Sequence, residues 1–421
     1  MNEKILYCTD HNLKTGFGIV AHNVCIGLAD VGYDTYFLGW GFRADDIFQR
    51  ANYKLIPCGN DPFGADVLPQ VLQIIRPEVF IVQADSRMVM FLPNMLRQIP
   101  NKPTWIFYPV IDGHVWDVEN TNKSWASNWT QCIKAADKVV AMTKYGQEIL
   151  KANGIEADCI YHGVDTTLFK PVSKEQKEQI KASGGIAGKF VFGGVFKNMQ
   201  RKNPEKYLQA LRILLNSKNL TESEKNNIVL LLHTFPQPTG GGEFDLVQQA
   251  VDYGLQPGKN VLFSTMGMPP QQMSLVFQAM DVFLALGGME GFDLPLAEAQ
   301  SCGLPLIVSD SSTHPELVEN GKCGLIAKSP TYNGKHKVTF GSYNGIECDL
   351  PDPYDVAKKM ELLYKDSTLR EKLGIAASEK ACRDYDWAII RKKWVDLVKS
   401  LIVDETKIPE EWARLYAETK V

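Results

Sequence analysis

The sequence predicts an α/β protein of two Rossmann-like domains facing each other across a cleft. At 421 residues the chain is too long for one ordinary core and fits two of about 180 to 220 residues. In its first half, short apolar runs alternate with helical patterns, the signature of a parallel sheet with helices on both faces. A second alternating series begins after a charged, Gly-punctuated connector at 171–188. The expected boundaries are 1–180 and 181–403.

The first series opens with a strand over Lys4 to Thr9, whose apolar run Ile5 to Cys8 is too short for a secretory h-region. It continues through a helix from Ile19 to Val31, a strand at Thr35 to Leu38, a helix from Val67 to Ile75 and a strand at Val79 to Gln83. A helix near Met90 to Arg97, a strand at Thr104 to Tyr108, a helix from Ser127 to Ala135, a strand at Lys138 to Met142 and a helix from Lys144 to Lys151 complete it. Lys174 to Lys189, basic but interleaved with Glu175 and Glu178, reads as a solvated linker helix. The second series has strands at Lys189 to Gly194, Asn227 to His233, Asn260 to Phe263, Asp281 to Ala285 and Leu306 to Ser309. From Pro351 onward the pattern is helical: Tyr354 to Lys365, Leu369 to Tyr385 and Trp387 to Val403. Ligands of such sheets bind beyond the carboxyl ends of the strands, which here means in the cleft.

A net charge of −4 and a pI near 6.0 provide no general attraction to nucleic acid or anionic lipid. Nine cysteines without C-x-x-C spacing favour reduced thiols in a cytoplasmic compartment and argue against a zinc site. No apolar stretch approaches the roughly 20 residues that span a bilayer, so no transmembrane segment is expected. Gly16-Phe17-Gly18-Ile19-Val20-Ala21 matches the form of a dinucleotide fingerprint, but six residues separate it from the first strand and Asp34 precedes the second. That context rejects an oxidoreductase.

The most informative stretch is Glu290-Gly291-Phe292-Asp293-Leu294-Pro295-Leu296-Ala297-Glu298. Pro295 suits the first helical position, and Leu296 to Cys302 reads as helix ending at Gly303. The free N–H groups of residues 292 to 296, proline at 295 excepted, then converge on one spot, an anion site in which Glu298, one turn in, reaches ribose hydroxyls. Glu290 is expected to face the other end of the ligand. Eight helical steps separate two carboxylates by about 12 Å, beyond the roughly 5 to 9.5 Å of a hydrolytic pair.

This stretch continues through a strand and a Gly-bounded segment to Ile326, and together with Thr15-Gly16-Phe17-Gly18, Tyr161-His162-Gly163-Val164-Asp165 and Arg201-Lys202-Asn203 it resembles the retaining GT-B glycosyltransferases of family 4 over nearly the whole chain. The resemblance implies the GT-B fold, with a deep interdomain cleft and a C-terminal helix, about 404–421, returning to the first domain, with Trp412 and Tyr416 as anchors. It implies transfer of a sugar from a nucleotide-diphosphate-sugar of UDP or GDP type, without a metal or other cofactor. Lys197 and Lys202 would neutralise the diphosphate, with Arg201 as a substitute for Lys197; Glu290 and the backbone of Gly291, Phe292, Asp293 and Leu294 would orient the sugar, and Glu298 would hold the ribose. Gly16 and Gly18 would let backbone approach the donor, while Asp112, then His114, would stand near the acceptor and reacting sugar. His162 and Asp165 are expected to be structural, and Thr234 to Glu243 a donor-side loop. The same architecture also serves sugar phosphorylases, nucleotide-sugar epimerases and catalytically silent binding homologues. Base, sugar, linkage, oligomeric state and acceptor, whether glycan, lipid-linked, protein, small molecule or nucleic acid, have no local motif, and peripheral membrane contact stays open.

Overall fold

A computed structural model describes residues 3–13, 15–43, 48–50, 52–113, 127–238, 242–265, 267–332, 336–337, 339–341 and 346–402. The first sheet is built from β1 (Lys4–Asp10), β2 (Asp34–Trp40), β3 (Phe48–Arg50), β4 (Tyr53–Pro57), β5 (Val79–Ala84), β6 (Thr104–Pro109), β7 (Lys138–Ala141) and β8 (Asp158–Cys159). Their order is β3-β4-β2-β1-β5-β6-β7-β8, parallel except for β3 against β4. The second sheet holds β9 (Phe190–Val195), β10 (Ile228–His233), β11 (Val261–Ser264), β12 (Val282–Ala285), β13 (Leu306–Ser309) and β14 (Leu325–Ala327), in the order β11-β10-β9-β12-β13-β14 and parallel throughout. Strands buried on both faces read as continuous apolar runs, which is why Val79–Ala84 and Ile228–His233 carry so few polar residues.

In each sheet the chain works outward on one side and then reverses. The reversal falls between β1 and β5 in the first sheet and between β9 and β12 in the second. At such a switch point the loops after two neighbouring strands part and leave a crevice. The crevice of the second sheet lies between the segments after Val195 and after Ala285, which carry the basic residues and the two-carboxylate motif respectively.

Several expectations shift. The first helix spans Gly16–Asp30, three residues earlier than its periodicity suggests, because the Thr15 hydroxyl accepts the Gly18 N–H at 3.1 Å and caps it. Thr15 to Gly18 is therefore a helix start and not an open loop. A Cβ on Gly18 would stand 2.1 Å from the Asn12 carbonyl, so only glycine fits there. The helix Lys174–Ser183 begins with a Ser173/Gln176 capping box but is not a solvated linker. Its Lys181 is 3% exposed and reaches Asp281 at 2.7 Å, and Lys177 reaches the Met280 carbonyl at 2.6 Å, so the helix is docked on the second domain.

The return to the first domain is made by the helix Trp387–Leu401, earlier than expected. Arg391 bonds Asn23 of the first helix at 2.6 Å, and Trp394 meets Tyr108 edge-on with centroids 5.1 Å apart. Residues 404–421, with Trp412 and Tyr416, lie outside the described residues. Val164 exchanges backbone hydrogen bonds with Tyr385 (2.7 Å) and Trp387 (3.3 Å), pinning the crossing to the strand end that leaves the first domain. One buried apolar cluster consequently runs from Ile5 and Tyr108 through Tyr385 and Trp394 to Phe292 and Leu296.

Candidate active site

The loop after β9 is shaped by Asn203, which takes a left-handed conformation (φ 51°) and anchors through its amide to the carbonyls of Leu286 (2.9 Å) and Asp349 (3.1 Å). The turn Gln200–Lys202 before it is thereby aimed at the end of β12. Arg201 reaches Glu290 at 2.8 Å and the Met289 carbonyl at 2.9 Å, and Lys202 reaches Glu290 at 2.5 Å and Asp293 at 3.8 Å. Glu290 is 4% exposed. Its carboxylate folds back over Gly287, where a Cβ would come within 2.6 Å of Oε1. Without ligand, then, Glu290 does not face open cleft; it neutralises the two cations. Burial works against the Arg201 charge, yet Glu290 and Asp112 beside it push its pKa up.

Lys197 is exposed and, among the described residues, holds no hydrogen bond or ion pair, so Arg201 occupies the place expected for it. The loop from Thr234 to Glu243, described except for 239–241, is tied to the same turn: Asn198 donates to the carbonyls of Phe235 (2.9 Å) and Phe244 (2.7 Å), and Glu243 accepts the Gln200 N–H at 2.7 Å.

The motif helix spans Leu294–Ser301, so Pro295 is its second residue and Asp293 its N-cap. Phe292 does not offer its ring to the cleft. It is buried against His162 (4.9 Å), Tyr385 (5.4 Å) and Tyr161 (6.1 Å), and so ties the motif to the crossing. His162 stays neutral in this cluster, its pKa driven down to about 3 by burial, and Asp165 accepts N–H groups of Thr167 and Leu168 in a turn, both structural placements.

The Glu298 carboxyl makes no hydrogen bond or ion pair among the described residues, and burial, with Asp293 nearby, pushes it up to about 8. Because its folded pKa lies above the unfolded value of about 4.3, the folded state binds the extra proton and loses stability as pH rises through 8. Glu298→Gln is therefore expected to raise the melting temperature of the free protein at pH 8 more than at pH 5, while weakening nucleotide binding. A variant that melts like the parent at both pH values contradicts this account.

The first domain closes the site. A Cβ on Gly291 would meet Val110 at 3.1 Å and Asp112 Oδ1 at 3.2 Å, and one on Gly16 would meet Leu294 at 3.3 Å. Asp112 and Gly16 are thus brought against the motif, each from the carboxyl end of a first-domain strand; His114 lies outside the described residues. Burial raises the Asp112 pKa against the pull of Arg201.

Three residues of one segment escaped the sequence reading. The Ser312 hydroxyl lies 2.6 Å from the Asp112 carbonyl and 2.7 Å from that of Glu290, bridging the domains. Glu316 accepts the N–H groups of Lys144 (2.9 Å) and Tyr145 (2.8 Å) and the Tyr161 hydroxyl (2.6 Å), capping a first-domain helix with a second-domain carboxylate. His314, fully buried, sits between Ser309 (2.8 Å) and Asp293 (2.9 Å). This has the order of a Ser-His-Asp triad, but Ser309 is buried and its hydroxyl donates to Gly287, so it is no nucleophile.

Residues 175–380 match the family described as glycosyl transferases group 1. The sucrose-phosphate synthase of Thermosynechococcus elongatus superposes with a TM-score of 0.73 at 16% identity, covering 95% of this chain and 99% of that one. The fold is GT-B. Another GT-B structure, Anabaena HepE in complex with UDP-glucose, superposes with a TM-score of 0.68 at 14% identity over 94% of this chain and 99% of that one. In sequence, the chain is 24% identical over 282 residues to a D-inositol 3-phosphate glycosyltransferase of Corynebacterium kroppenstedtii, covering 65% of this chain and 55% of that protein. It spans about half the length of the curated relatives it matches.

Proposed function

We propose that this protein is a retaining glycosyltransferase of the family 4 type, moving a hexosyl group from a nucleotide-diphosphate-sugar to an acceptor held by the first domain. The observation that carries the reading is the placement of Arg201 and Lys202 at the switch point of the second sheet, beside the N-terminus of Leu294–Ser301 and one turn from an unpartnered Glu298. A diphosphate fits the cations and free N–H groups, and a ribose fits Glu298. As the glycosidic bond breaks, charge collects on the leaving diphosphate, and preorganised cations stabilise it. In the unliganded site Glu290 holds those cations, so donor binding must draw them off it and free the carboxylate for the sugar. The leaving phosphate then helps to take the acceptor proton on the same face, which preserves the anomeric configuration.

HepE, with its bound UDP-glucose, makes UDP sugars the first to try. A thermal-shift screen against UDP, GDP, ADP and their sugars tests the reading. Stabilisation by none of them overturns it, nucleotide-free dependence on inorganic phosphate identifies a phosphorylase, interconversion of bound sugars an epimerase, and binding without turnover a silent homologue. We place the enzyme in the cytoplasm, a reading supported by its nine free thiols. Among the described residues no helix is long and apolar enough to cross a membrane.

We also propose that the diphosphate is neutralised by protein cations and not by a metal, and among the described residues no group of three His, Cys, Asp or Glu side chains is placed to hold one. Donor turnover is expected to survive EDTA unchanged. Loss on chelation with rescue by magnesium or manganese contradicts it.

A further inference from the structure

Asp293 stands in the left-handed region (φ 89°, ψ 77°), where glycine would sit without strain. An aspartate at a helix N-cap ordinarily accepts the N–H of the second or third helical residue. Asp293 makes no such bond. Its carboxylate is turned the other way: Oδ2 lies 2.9 Å from His314 Nε2, while Oδ1 is buried, accepts no hydrogen bond and lies 3.8 Å from Lys202 Nζ. The single proton of the Ser309 hydroxyl goes to the Gly287 carbonyl at 2.5 Å, so Ser309 accepts from His314 Nδ1 at 2.8 Å. The imidazole is therefore fixed from behind, and it fixes one oxygen of Asp293 and leaves the other aimed at Lys202.

A buried carboxylate oxygen without a donor costs free energy, and so does a strained backbone that glycine would relax. Both are explained by a ligand group that donates to Oδ1. A phosphate oxygen is repelled there, so the group is a neutral donor. It lies next to the cations assigned to the diphosphate, and in a nucleotide sugar the ring bonded to the outer phosphate is the sugar, which carries such donors as hydroxyls.

We propose that Asp293 is a specificity-determining residue that accepts a hydrogen bond from a hydroxyl of the donor sugar, with His314 as its positioning residue. This rests on the donor-site reading above. Lys202, Arg201, Glu290, His314, Glu298 and Tyr207 are the charged or titratable groups around it among the described residues. Removing the carboxylate should cost affinity for the sugar while relieving Lys202 of a competitor for phosphate.

The test is calorimetric titration of UDP and UDP-glucose, GDP and GDP-mannose, and ADP and ADP-glucose into the wild type, Asp293→Gly and His314→Asn, with melting curves for each protein. For the pair the wild type binds, Asp293→Gly is expected to weaken the nucleotide sugar by about tenfold or more. The nucleoside diphosphate should bind equally well or more tightly. His314→Asn should shift both affinities in the same directions by less. Unchanged affinity for the nucleotide sugar in a folded Asp293→Gly, or an equal loss for sugar and diphosphate forms, overturns the proposal. Failure of the wild type to bind any of the six overturns the donor-site reading itself.

Discussion

Replacing Lys202 by alanine is expected to lower donor turnover, followed as nucleoside diphosphate release, by about 10²-fold or more, the scale of losing one oxyanion donor. The variant should remain folded. Glu290 keeps Arg201 at 2.8 Å and Asp293 keeps its hydrogen-bond partner His314 at 2.9 Å, so neither buried carboxylate is left without a partner. The loss should fall on kcat more than on donor affinity, because the charge that Lys202 faces grows as the bond breaks. Full turnover in a folded Lys202→Ala protein would remove Lys202 from the mechanism.

Asp112→Ala is expected to impair transfer by about 10²-fold, the scale of misplacing a reacting group by an ångström, while nucleotide affinity stays the same or rises. Asp112 belongs to the first domain and its carboxylate lies against Gly291 of the motif, so its loss removes a negative charge near Arg201 and no expected contact to base or ribose. Its backbone carbonyl is the part that Ser312 holds, and this survives the substitution. Calorimetric titration of nucleotide beside a transfer assay decides the matter. A large fall in nucleotide affinity, or undiminished transfer, would put the acceptor on the other side of the cleft.

Much of the fold was legible because its signals are local. Apolar runs and 3.6-residue periodicity are written within one element, so strands such as Leu306–Ser309 and helices such as Leu68–Ile75 were found within a residue. Tyr53–Pro57 and Leu325–Ala327 were missed, since the first breaks its apolar run with Lys54 and ends on Pro57 and the second has only three residues, so each is defined by the strand that pairs with it.

The site divides in the same way. The sequence by itself determined that a helix start, two carboxylates eight residues apart and a basic turn exist, because caps, proline placement and composition depend on a few adjacent residues. Which cation meets Glu290 was decided by tertiary structure: the left-handed Asn203 and its bonds to Leu286 and Asp349 aim Arg201 inward and leave Lys197 in solvent. Tertiary packing likewise took Phe292 for the aromatic cluster, turned Glu290 onto its cations and brought in Ser312, His314 and Glu316. Those contacts join residues as far as 200 positions apart in the chain, and no sequence period extends over that distance; only the crossing of the chain between two sheets supplies the partner.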